Sequence, residues 1–144
     1  MSELSLRQAN QIIEKAIEAA RAKKLKPLTV AVLDGSGHLV ALQREDGASM
    51  FRNEVAQGKA WAAVAMGVAA RKLNKTAQTN PAFFNALSAT SGGKFIPQTG
   101  GVLIKDAAGK IIGAAGASGD TGDEDEAACI AGITGAGLHT DPVE

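Results

Sequence analysis

The side chains here that can do acid–base or ligating chemistry fall in a few places along the chain. His38 and His139 are the residues that titrate near neutral pH by default, and each is a candidate metal or haem-iron ligand. Neither has a second ligand at the spacing of a local metal site, so an exposed or hydrogen-bonded surface histidine is the competing reading. Arg44 and Asp46 follow closely. A guanidinium there either clamps a substrate or cofactor carboxylate through two parallel hydrogen bonds or pairs with Asp46 or a neighbouring acid. Lys59, in a stretch rich in alanine, offers the same clamp or extends its head to solvent.

A fourth group, Asp120, Asp123, Glu124, Asp125 and Glu126, crowds a helix start, where negative charge suits the positive end of the helix dipole. A divalent cation or a partner contact is the alternative, without the alternating oxygen-ligand spacing of a calcium loop. Gly113, Gly116 and Gly119 precede those acids in a pattern that resembles a phosphate cradle. No Gly-Lys-Ser/Thr follows, and the acids would repel a phosphate. No serine sits in a glycine-flanked nucleophile elbow. Cys129 lies among Ala127, Ala128 and Ile130 as a small buried apolar residue, and as the lone cysteine it forms no intrachain disulfide.

Composition narrows the partners. Fifteen basic residues balance fifteen acidic ones, which removes the basic field that would draw nucleic acid or an anionic membrane. Four Phe, one Trp and no Tyr leave few platforms for stacking bases. No segment has the roughly 20 apolar residues of a membrane span, and the chain starts as a polar helix rather than a signal peptide. The expected location is cytoplasmic, with export of a mature form compatible.

The elements that must position these residues follow from periodicity and punctuation. Ser5 with Gln8 makes a capping box for a helix to about Lys24, which Pro27 stops. Leu28 to Leu33 and Leu39 to Leu42 flank the turn Asp34-Gly35-Ser36-Gly37 as a hairpin. A long helix is expected from about Met50 to Leu73, with Ala56, Ala60, Ala63, Gly67 and Ala70 forming a small-residue stripe for packing on a sheet or a subunit interface. Asn80-Pro81 opens a short helix that Gly92-Gly93 ends. Gly101 to Lys105 and Lys110 to Ala117 flank a second turn, Asp106 to Gly109, and Thr121 with Glu124 caps a last helix from about Gly122 to Gly137. Without strand-helix-strand alternation, the expectation is one α+β domain over residues 1–144. It would have a mainly antiparallel sheet of about five strands with helices packed on it, profilin-like or PAS-like.

Val30-Ala31-Val32-Leu33-Asp34-Gly35-Ser36-Gly37-His38-Leu39-Val40-Ala41, the segment Arg44 to Ala48, and Lys59-Ala60 resemble the GlcG/HbpS family. So do Gly100 to Ile104, Ile112 to Gly119, Asp125-Glu126 and Ala131-Gly132, while Leu103 stands where many relatives have proline. The family includes the C-terminal domain of PduO-type cobalamin adenosyltransferases. The resemblance implies a profilin-like homo-oligomer, often an octamer, in a family variously haem-binding, haem-degrading or accessory to glycolate and diol metabolism. Some relatives ligate haem through a histidine on the first helix; that helix has none here, which leaves His38 and His139 as candidates.

The expected function is thus a haem- or tetrapyrrole-binding oligomeric accessory protein, with propionates met by Arg44 or Lys59. The alternative is an enzyme acting on a hydroxy or oxo acid in a glycolate, diol or aromatic-acid pathway, with Arg44 orienting the carboxylate and Asp46 or Asp120 taking the proton. A third reading is a scaffold that assembles through the small-residue helix. The expected ligand-binding residues are His38, Arg44, Asp46, Lys59, Gly100, Gly101 and Asp120, between the exits of the two hairpins. The expected partners are other copies of the chain and a small molecule, not nucleic acid or membrane.

Overall fold

Helix α1, Leu6–Ala22, begins as its capping box requires: Gln8 N–H donates to Ser5 Oγ at 3.1 Å, and Ser5 N–H donates to Gln8 Oε1 at 3.0 Å. The computed structural model describes residues 3–142. Both predicted turns form by the same chemistry. Asp34 Oδ1 accepts from the N–H groups of Ser36 and His38, and Asp106 Oδ1 from those of Ala108 and Lys110. They join β1, Thr29–Asp34, to β2, Leu39–Arg44, and β3, Gly101–Lys105, to β4, Ile111–Ser118.

The sheet runs β2-β1-β4-β3 with every neighbouring pair antiparallel. It has four strands among the described residues, not about five. Among the described residues beyond the last helix, His139 joins the sheet through its backbone, which exchanges two hydrogen bonds with Lys105 as a single bridge.

Alternation along the strands sends side chains to both faces. Val30, Val32, Val102, Ile104, Ala115 and Ala117 meet Ile12, Ile13 and Ala16 of α1 and Ala128, Cys129 and Ile133 of α5, Gly122–Gly135. Leu33, Leu103 and Ala114 face Ala60 and Ala63 of α2, Phe51–Met66. Cover on both faces explains why β1 reads as a nearly unbroken apolar run despite its antiparallel pairing.

The expected helix from Met50 to Leu73 is two helices. Gly67 takes φ 69°, the left-handed conformation that ends a helix, and its N–H bonds back to the Ala63 carbonyl at 2.8 Å. Ala69 is extended, and α3 then runs Ala70–Thr79, followed by α4, Pro81–Thr90.

The stripe of small residues on α2 is used within the chain, on the sheet. A Cβ on Gly116 would lie 2.2 Å from the Ala56 carbonyl oxygen, and one on Gly101 would lie 2.2 Å from that of Lys59, so the helix backbone rests directly on β3 and β4. Phe84 and Phe95 pack with Leu73 and Ala62 as a satellite cluster, which ties the segment after α4 to α2 and α3.

Candidate functional site

The expected site residues fall into three clefts. The first, about 420 Å³, lies between the first hairpin turn and α2, with Leu33, Leu39, Gly58 and Trp61 as apolar wall and His38, Glu54, Gln57 and Lys94 as polar groups. The turn positions His38. Its side chain is 80% exposed, and Nδ1 lies 3.8 Å from Asp34 Oδ1, which puts a carboxylate behind one ring nitrogen and leaves Nε2 as the other. His139 is exposed on the outer edge of β3, with β3 and β4 between it and the β1–β2 hairpin, so the two histidines occupy separate parts of the fold.

Arg44 and Asp46 lie instead in an open cleft beside α1, with Arg21 and Glu45. Among the described residues Arg44 pairs with neither Asp46 nor another acid: its Nη1 donates to the Ala48 carbonyl at 2.8 Å, tying down the loop after β2. Glu45 is the acid that pairs here, with Arg21 Nε at 3.0 Å, while its other oxygen accepts from Leu28 N–H.

Lys59, Gly100, Gly101 and Asp120 come together around a third cleft, of about 450 Å³, between α2 and the start of α5. Lys59 does not extend its head to solvent; it is 6% exposed. Its Nζ donates to the Ala117 carbonyl at 3.0 Å and to Asp125 Oδ2 at 3.2 Å. The reason is the close seating of α2 on the sheet: a Cβ on Gly100 would come 2.8 Å from Nζ, so glycine there makes the lysine's seat. Asp125, 1% exposed, also accepts the Asp120 N–H through Oδ1 at 3.0 Å. Burial pushes the Asp125 carboxyl above the ordinary range, against the pull of these hydrogen bonds and of Lys59. Asp120 is shifted the opposite way because its oxygens accept the N–H groups of Lys26 and Thr121.

The acidic helix start therefore does more than complement a dipole. Thr121 Oγ1 accepts the Glu124 N–H as a cap, while Asp125 and Glu126 turn inward. Arg71 on α3 donates from Nε to both Glu126 oxygens at 3.1 Å and from Nη2 to Oε1 at 2.9 Å, and it also pairs with Asp123. These carboxylates push the guanidinium further above its ordinary range. Cys129 is fully buried, with its thiol pushed up by desolvation.

The family described as haem degrading protein, HbpS-like, matches residues 4–134. The chain belongs to the HbpS-like family. Among curated proteins, the corrinoid adenosyltransferase PduO of Salmonella typhimurium is 32% identical over 123 residues, which is 85% of this chain but 35% of that protein. The chain thus spans about a third of the length of the curated relatives it matches. The solved structure of PduOC in complex with haem superposes with a TM-score of 0.86 at 28% identity, covering 98% of this chain and 100% of that one. The crystal structure of HbpS gives 0.80 at 27%, over 93% and 90%. This HbpS-like chain therefore shares its four-stranded antiparallel sheet and packed helices with a relative solved as a haem complex.

Sequence reading passed over Arg52, Arg71 and Lys94. Arg52 had a signal, since it lies seven residues before Lys59 and so on the same helix face two turns away. Arg71 had none, because its acidic partners are more than fifty residues distant.

Proposed function

We propose that this HbpS-like chain binds haem or a related tetrapyrrole in the cleft beside the first hairpin turn, and works as a self-associating accessory protein. The observation that carries this reading is that cleft: a space of about 420 Å³ with an apolar wall, one imidazole, one lysine and the Glu54 carboxylate, in a fold shared with a haem complex. Its size is that of an ordinary small-molecule site.

The residues present fit the group. Leu33, Leu39 and Trp61 offer apolar and aromatic surface to a macrocycle, and Lys94 offers charge to a propionate. With no histidine on α1, His38 is the ligand this chain offers in the cleft, its ring backed by Asp34. Bound haem would bring iron redox chemistry, and these residues would hold its ring. Self-association draws support from apolar side chains left on the surface: Met50 is 82% exposed, Phe51 68% and Leu39 49%.

Titrating haemin and following the Soret band tests the reading. A saturable shift at micromolar protein is expected, weakened in His38→Ala and unchanged in His139→Ala. No saturable shift would end it. Sedimentation tests the second part, where a monomer at all concentrations would remove self-association.

A further inference from the structure

The polar cleft between α2 and α5 plays no part in that haem reading, and it is built around two converging cations. Arg52 and Lys59 lie on one face of α2 and reach consecutive residues at the end of β4: Arg52 Nη1 donates to Ser118 Oγ at 3.1 Å, and Lys59 Nζ to the Ala117 carbonyl. Lys59 is neutralised by Asp125, while among the described residues no carboxylate lies within ion-pair distance of Arg52. A guanidinium has five N–H donors, and one of them is directed at a neutral hydroxyl. The group that best fills such a fork is a carboxylate, which accepts two parallel hydrogen bonds.

The facing wall sets a second requirement. Asp120 lines the same cleft, held by the Lys26 and Thr121 N–H groups, while Asp123 beside it is paired with Arg71. The fixed negative charge of Asp120 opposes a dianion such as phosphate and favours a ligand that presents a cation to it.

We propose that this cleft binds a small zwitterionic amino carboxylate, with Arg52 holding its carboxylate and Asp120 its ammonium group. Lys59, locked to Asp125, forms the floor and keeps α2 in register with β4. The proposal is independent of haem binding.

The test is an NMR titration of the intact protein with glycine, β-alanine and γ-aminobutyrate, whose charges are progressively further apart, against propionate, lactate and phosphate. Saturable shifts at the amides of Thr99, Ser118 and Thr121 are expected for at least one amino carboxylate, with affinity about tenfold or more above that of propionate. Arg52→Gln should weaken that affinity about tenfold, and Asp120→Asn should bring it down to the level of propionate. Both residues are partly exposed, and unchanged dispersion of the remaining spectrum will show that the variants fold. Haemin titration of Arg52→Gln should match that of the parent, which separates failure here from failure of the haem reading. The proposal is overturned if no amino carboxylate saturates, if propionate, lactate or phosphate binds as well or better, or if the two variants bind like the parent.

Discussion

Replacing Asp125 by alanine tests the packing logic of the polar cleft most directly. The carboxylate accepts from Lys59 Nζ at 3.2 Å and from the Asp120 N–H at 3.0 Å, in a place where lysine and aspartate are 6% and 1% exposed. Its loss leaves an ammonium group buried against the Ala117 carbonyl and a backbone donor without its acceptor. Removing one member of a buried ion pair costs about 3–5 kcal/mol. At an m-value of about 2 kcal/mol/M, a 4 kcal/mol loss moves the urea midpoint down by about 2 M. Asp125→Asn keeps an acceptor for the Asp120 N–H and should fall between parent and alanine variant. The paired change Lys59→Met with Asp125→Leu removes both charges and should recover the part of the stability that Asp125→Ala loses to the unpaired ammonium, with the Asp120 N–H still lacking its acceptor. A midpoint drop below about 0.5 M for Asp125→Ala, or a double variant no more stable than it, would refute the reasoning.

Asp125 and Asp120 should titrate on opposite sides of an ordinary aspartate, which carboxyl-carbon NMR can read residue by residue. Burial raises the folded Asp125 value, so its contribution to stability is largest below the unfolded value and falls as pH rises toward the folded one. Backbone hydrogen bonds lower the folded Asp120 value, so its contribution is present above the unfolded value and is lost as pH falls through the folded one. Gly116→Ala should lower Tm by several degrees in a thermal melt, because its Cβ would lie 2.2 Å from the Ala56 carbonyl oxygen and overpacking of this kind costs about 1–3 kcal/mol. A melt within a degree of the parent would show that α2 moves away freely. Cys129, fully buried and held in its neutral thiol form, should react with a disulfide reagent at the rate of global unfolding; fast labelling of the native protein would contradict its burial.

Local signals carried far along this chain. Ser5 with Gln8 and the two aspartate-led turns follow from hydrogen bonds between residues no more than four apart, and these are written in adjacent letters. Gly67 shows where such signals divide: glycine within a periodic small-residue stripe reads as helix interior, while the same residue in the left-handed conformation ends a helix. The strand count missed for a related reason, since a single bridge at His139 depends on where the chain returns in space.

What the sequence by itself determined was the set of local elements, their order and the family blocks, because capping, turn chemistry and apolar alternation act over a few residues. The grouping of the chemical side chains was decided by tertiary structure. His38, Arg44 and Lys59 are close in the chain yet line three different clefts, while Lys59 meets Asp125 across 66 residues and Arg71 meets Glu126 across 55. The physical cause is the seating of α2 on glycines of β3 and β4, which turns Lys59 from a solvent-facing cation into a buried one and so requires the partner that α5 supplies.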